Sequence, residues 1–285
     1  MISPGLFTDD EHPGAAPADR ETVHAEVPAS ALAELAAAVS MLTRLPIRRD
    51  AVEGTGAAAF GIVGGLMGVA ASFPLVALGA WIAPLSAILA LAVLAIASGA
   101  VHLDGLADTA DALMAVGPDG AERARTDPSI GVGGVVALAL VLGVDVAALA
   151  AIAAGAGPVV AGIVCVAAGS ASRAVPVILA RLTRTLARPT GLGGWFAARV
   201  TTRRVWIAIA SALVIVFGGA TGLGWAGGGA MVAVAGVIGG LGGLGLGLVL
   251  VRLRGRLDGD LLGASVELAF ALTVVAASVL MEIPA

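Results

Sequence analysis

Apolar residues run through this chain in long blocks, and polar residues collect in short stretches between them. Seven blocks reach the length of a membrane-crossing helix, for which about 18 apolar residues suffice. They lie near 60–80, 84–101, 132–154, 158–180, 205–222, 228–251 and 262–281. Ahead of them, A-L-A-E-L-A-A-A-V-S-M-L-T-R-L from Ala31 to Leu45 has helical character but is short, and predicts an interfacial or re-entrant helix. Residues 1–30 are polar, rich in Pro, Asp and Glu, and lack periodicity, so they predict a disordered tail before an integral membrane domain over 31–285. They do not read as a signal peptide, because no basic stretch leads into an apolar one. The expected fold class is all-α: a polytopic transmembrane helix bundle of about seven spans with an amino-terminal interfacial helix.

Composition agrees with this pattern. Only 13% of the 285 residues are charged and mean hydropathy is +1.01, against about 25% charged residues in soluble domains. The 41 glycines suit close helix packing in lipid, where small residues let backbones approach. The formal net charge of −4 says less than where the charges fall. All 16 basic residues are Arg, and apart from Arg20 and Arg173 they lie in the segments 44–50, 102–131, 181–204 and 252–261. The loops near 81–83, 155–157 and 223–227 hold none. Seven spans put the four Arg-bearing segments on one side, which the positive-inside rule makes cytoplasmic. The amino terminus is then inside and the carboxyl terminus outside. The Arg clusters lack interleaved aromatics, so nucleic acid is not an expected partner. Cys165 is the only cysteine, which excludes an internal disulfide and a thiolate metal cage; within its apolar run it reads as a small buried hydrophobe.

Against this apolar background one stretch stands out. Between Glu53 and Asp104 the chain carries no Asp, Glu, Lys or Arg, and then V-H-L-D-G-L-A-D-T-A-D-A-L follows from Val101 to Leu113. If the helix of the second span continues, Asp104, Asp108 and Asp111 share one face, with neighbours about 5–6 Å apart. Three anions near a helix C-terminus repel one another and gain nothing from the macrodipole, so the arrangement calls for a cation. Hard oxygen ligands without Cys point to Mg²⁺ or Mn²⁺ rather than Zn²⁺. A solvated polar helix end is the plain alternative. His102 reads equally as an interfacial polar residue, a partner of a ligand, or a ligand itself.

Two further groups belong to the same face. In R-L-D-G-D-L-L-G-A-S-V-E-L, Asp258 and Asp260 close the last Arg-bearing loop and Glu267 lies inside the final span. A carboxylate in lipid costs roughly 2.5–3.5 kcal/mol even on the lenient insertion scale, so Glu267 is expected to face the bundle interior, for function or as the packing partner of an Arg. In R-A-R-T-D-P-S-I-G-V-G-G, Asp127 and Pro128 form a good N-cap and N1 pair for the third span, with Arg123 and Arg125 beside a helix N-terminus able to hold an anion. Arg173, next to Ser170 and Ser172 in the fourth span, either snorkels to the interface or faces the acidic groups and holds a phosphate; the neighbouring serines favour the second. Carboxylates for a divalent ion, Arg for phosphate and a helix N-terminus are the equipment of phosphoryl-type transfer, placed to join a membrane-held substrate to a cytosolic one.

At H-L-D-G-L-A-D-T-A-D the sequence resembles the cobalamin (5′-phosphate) synthase family, the adenosylcobinamide-GDP ribazoletransferases. The likeness continues in order through L-T-R-L-P at Leu42–Pro46, D-P-S-I-G at Asp127–Gly131, S-R-A at Ser172–Ala174 and G-D-L-L-G-A-S-V-E-L at Gly259–Leu268. The resemblance implies transfer of the adenosylcobinamide-phosphate group from adenosylcobinamide-GDP to α-ribazole (or its 5′-phosphate) with release of GMP. It also implies a cytoplasmic (inner) membrane location, Mg²⁺ as cofactor, the lipid bilayer as environment, and room for association with other corrinoid-assembly enzymes. On this likeness Asp104, Asp108 and Asp111 hold Mg²⁺ against the pyrophosphate. Asp258, Asp260 and Glu267 complete the site or supply a base, and Arg44, Arg173 and Arg123 or Arg125 neutralise phosphate charge. Three positions depart from the family pattern: Ala112 stands for a Gly after Asp111, F-G-I-V-G at Phe60–Gly64 for F-P-L-x-G, and Asp145 for a Lys.

Two other readings compete. A CDP-alcohol phosphotransferase shares the opening aspartates and an alanine, Asp108, Asp111 and Ala115, but lacks the glycine, the arginine and the later aspartates. A cation- or proton-coupled transporter would use Asp145 and Glu267 and the Gly-interrupted stretch Gly236–Gly247, yet the chain shows no internal repeat.

Overall fold

The apolar blocks become helices, with one break that hydropathy alone does not reveal. A computed structural model of the chain describes residues 30–47, 54–115, 117, 120, 129–188, 190–224 and 228–282. Arg123, Arg125, Asp127 and the predicted tail, apart from Ser30, lie outside these. The helices are α1 (Ala31–Leu42), α2 (Phe60–Leu78), α3 (Ala83–Ser98), α4 (Val101–Met114), α5 (Val132–Gly155), α6 (Pro158–Leu182), α7 (Leu192–Arg199), α8 (Thr202–Gly222), α9 (Gly229–Arg254) and α10 (Gly259–Glu282). The protein is an all-α helix bundle. Among the described residues the only extended pairing outside helices is a single parallel bridge between Ala187 and Leu257.

Six of the helices (α2, α5, α6, α8, α9 and α10) are long and apolar enough to cross a membrane by themselves. The predicted second span becomes a bent pair instead: α3 and α4 meet at 93° and pass the same test only together. Gly99 (φ 64°) and Ala100 (φ 58°) occupy the left-handed region in succession, which ends one helix and starts the next in a new direction. Arg44 braces this elbow. Its backbone N–H donates to the Ala97 carbonyl (2.8 Å), and its side chain covers Gly99 so closely that a Cβ there would collide with it. Asp104, Asp108 and Asp111 do share one helix, α4, but that helix does not continue the second span as expected. α4 runs across the end of the bundle, and Asp104 lies in its first turn rather than at the C-terminus of a span.

Burial explains which helices are the most apolar. Helix α6 is mostly buried among its neighbours and the least apolar of the six, whereas α5 is mostly exposed and the most apolar. An outer helix must satisfy lipid, but a central one can use small and polar residues. Helix α2 presses onto α6 through glycines: a Cβ on Gly68 would lie 2.6 Å from the backbone of Val166, and Ser170 Oγ donates to the Gly61 carbonyl (2.8 Å). Helix α9 is unbroken; Gly239, Gly242 and Gly243 face α10, where a Cβ on Gly243 would meet Ala269, and Gly236 faces Val216 of α8. The Gly-rich stretch is therefore a packing surface rather than an interruption of the span. Helix α1, too short to span at 12 residues, is capped by Ser30 and joined to α8 by an ion pair of Glu34 with Arg204 (2.7 Å).

Candidate active site

Three segments distant in the chain meet at the end of the bundle where α4 lies. The bridge at Ala187 is built by Arg188 N–H donating to the Leu257 carbonyl (3.1 Å) and Leu257 N–H donating to the Leu186 carbonyl (2.8 Å). This ties the segment after α6 to the loop before α10. Two glycines then allow contact without side chains. A Cβ on Gly193, in the first turn of α7, would lie 2.6 Å from the Asp258 carbonyl carbon, and one on Gly105 of α4 would lie 2.7 Å from the Asp260 carbonyl oxygen.

Between these segments lies a cavity whose lining includes Asp104, Asp258, Asp260, Arg188 and Thr190, with about 890 Å³ of atom-free space, part of it open to solvent. The two acidic groups of the sequence, far apart along the chain, thus line one cavity. Asp104 and Asp260 each sit in the first turn of a helix, where the macrodipole favours an anion by about 0.3–1 kcal/mol. Asp258 is buried and more committed. Its Oδ1 accepts from Leu261 N–H (3.1 Å) and caps α10, while its Oδ2 lies 3.3 Å from Arg256 Nε and 3.7 Å from an Arg254 guanidinium nitrogen.

Asp108 and Asp111 continue the stripe along α4 away from the cavity. Asp111 spans to the next helix: its Oδ2 accepts from Gly131 N–H (2.7 Å) and its Oδ1 from Gly134 N–H (2.8 Å). It supplies the N-cap that the sequence assigned to Asp127, because α5 begins only at Val132 with Gly131 as its N-cap residue. Among the described residues no three His, Cys, Asp or Glu side chains come together as a metal cage.

A second ionisable group forms deeper in the bundle. Arg173 is 2% exposed, donates from Nη1 to Ser172 Oγ (2.9 Å), and shares a small cavity with Glu267 and Ser98. Asp145, also buried, is near enough to Glu267 to feel its charge. Glu267 therefore faces the interior, against an Arg, and neither residue lines the Asp104 cavity. Arg44 sits at the elbow. The structure adds Arg188 and Thr190, for which the sequence carries no local signal: an Arg in an Arg-rich loop becomes distinctive only through the bridge to Leu257.

An integral membrane helix bundle with a charged cavity at one end, acidic on α4 and α10 and basic on the α6–α7 connection, is the class of protein that fold and site define. The family model for cobalamin-5-phosphate synthase matches residues 34–278, and the chain belongs to that family. It is 32% identical over 241 residues to the adenosylcobinamide-GDP ribazoletransferase of Shigella flexneri, covering 81% of this chain and 94% of the relative. The enzymes of the same name from Escherichia coli O17:K52:H18 (strain UMN026 / ExPEC), at 32%, and Shigella dysenteriae serotype 1 (strain Sd197), at 31%, match over the same shares. No solved structure matches the chain. Membership carries an enzymatic, transferase role in cobalamin biosynthesis at the membrane, and the CDP-alcohol phosphotransferase and transporter readings give way to it.

Proposed function

We propose that the protein transfers the adenosylcobinamide-phosphate group of adenosylcobinamide-GDP to α-ribazole or its 5′-phosphate. A ribose hydroxyl attacks the phosphorus that carries the corrinoid, a new O–P bond forms, the bridging P–O bond of the pyrophosphate breaks, and GMP leaves. The hydroxyl proton passes to water or to a carboxylate of the cavity. The observation that carries this reading is one cavity lined by Asp104, Asp260 and Arg188 together.

The donor set fits a magnesium ion. Mg²⁺ is commonly held by one or two carboxylates and completes its shell with water and substrate phosphate, so a protein cage is not required. Asp104 and Asp260, which both line the cavity, would hold it. When bound, it would neutralise charge on the pyrophosphate. Arg188 and Thr190 would orient the phosphates, and Asp108 would support the acidic stripe along α4 from Asp104. The Arg173–Glu267 pair would hold α6 and α10 in register beneath the cavity. Arg123, Arg125 and Asp127, which lie outside the described residues, would take part in phosphate binding. The cavity draws on three of the Arg-bearing segments, and Arg44 of the fourth braces its elbow, which supports a site and amino terminus on the cytoplasmic side of the inner membrane.

The test is GMP release by the purified protein in nanodiscs, given adenosylcobinamide-GDP and α-ribazole, with and without Mg²⁺. Mg²⁺-dependent GMP with matching cobalamin is expected. Folded protein that releases no GMP under these conditions would sink the proposal.

A further inference from the structure

Beside the charged cavity lies an apolar pocket, walled by Leu42, Phe60, His102, Phe196, Leu262 and Val266, with about 510 Å³ of atom-free space. The pocket and the cavity share Val101, Leu192 and Gly259 as lining residues, so a ligand can lie across both. Phe60 and Phe196 stack in the wall with ring centroids 5.3 Å apart, which joins the start of α2 to α7.

His102 is the ionisable residue of this lining. His102 is 7% exposed, and its Nδ1 is buried without a hydrogen-bond partner among the described residues. Leaving such a group unmatched costs about 1–3 kcal/mol, and no acyl chain can satisfy it.

We propose that this pocket seats the aromatic base of the nucleoside substrate, with His102 Nδ1 hydrogen-bonded to the free ring nitrogen of the base. The proposal rests on the transferase reading above. The benzimidazole of α-ribazole is a planar bicycle with apolar edges and a single free nitrogen, which an apolar slot with one ionisable side chain matches. Guanine carries several donors and acceptors around its rim, and most of them would be desolvated here without partners. A base held in the pocket brings its ribose to Val101, Leu192 and Gly259, the boundary with the cavity. The ribose hydroxyls then point toward the cavity of Asp104 and Arg188, where the reaction is proposed to occur. His102 is thus a specificity-determining residue, two positions from Asp104 on the same helix.

The experiment measures KM for each substrate separately, with the full chain in nanodiscs. His102→Leu is expected to raise KM for α-ribazole about tenfold and to leave KM for adenosylcobinamide-GDP unchanged. His102→Asn, which restores a polar atom near the Nδ1 position, is expected to recover most of the loss. The corresponding indole riboside, with carbon in place of the free ring nitrogen, is expected to show a similarly raised KM with the natural protein and no further rise with His102→Leu. A shift of both KM values together, or an indole riboside as sensitive to His102→Leu as α-ribazole is, would overturn the assignment. If the natural protein turns over neither substrate, the transferase reading fails, and calorimetric titration of α-ribazole into the natural and His102→Leu proteins decides the pocket by itself: equal affinities would reject it.

Discussion

Asp104 and Asp111 have the same side chain on the same face of the same helix, yet their surroundings differ. Asp104 is exposed and opens on the cavity, whereas Asp111 ties down the first turn of α5 through both oxygens. Replacement should separate chemistry from architecture. Asp104→Asn removes the charge without removing a structural bond. It is expected to lower kcat for GMP release at least about 100-fold, with no shift in the thermal unfolding midpoint. Asp111→Ala deletes a helix cap and is expected to cost about 1–2 kcal/mol of stability, seen as a lower midpoint by thermal unfolding in detergent. A stable Asp111→Ala protein would show that these two hydrogen bonds are incidental. Asp145 shows what a sequence can miss at this scale. Its departure from the family pattern was visible, but its position near Glu267 depends on how α5 packs on α10.

At the level of elements, the decisive features are places where the backbone must bend or come close. Ala100 holds a left-handed conformation that costs an L-residue roughly 1–2 kcal/mol. Ala100→Gly is therefore expected to raise the unfolding midpoint while preserving activity, and a lowered midpoint would contradict the elbow. Gly105 allows α4 to reach the Asp260 backbone. Gly105→Val should push α4 away from α10, separate Asp104 from Asp260, and reduce GMP release at least tenfold, roughly the effect of misplacing a catalytic group. Helix periodicity and length marked these elements to within a few residues. The elbow escaped notice because G-A between two apolar stretches reads as a continuing span, and because Arg44, which fills the space over Gly99, lies far away in sequence.

At the scale of the whole molecule, the charge bias of the loops and the tertiary contacts make the same statement. Segments rich in Arg are gathered at one end of the bundle, and the site is built from them. A topological test follows. In a Cys165→Ala background, Thr190→Cys at the cavity is expected to react with a membrane-impermeant maleimide only after the cytoplasmic side is opened. Ala156→Cys in the opposite turn is expected to react from outside in intact cells. The reverse pattern would invert the orientation.

By itself the sequence determined the membrane setting, the approximate bounds of the apolar segments, and the acidic residues that line the site. These follow from local quantities: hydropathy summed along a segment, charge in short loops, and carboxylates at helical spacing. It also carried the family likeness, because ordered motifs survive without knowledge of their geometry. Only the tertiary structure decided how the charges are shared out. Asp104, Asp258, Asp260 and Arg188 line one cavity, Arg173 and Glu267 line another, Asp111 caps α5, and His102 lines an apolar pocket. Such pairings depend on which helix faces cross and where glycines let backbones touch, and those are properties of segments that the chain itself keeps far apart.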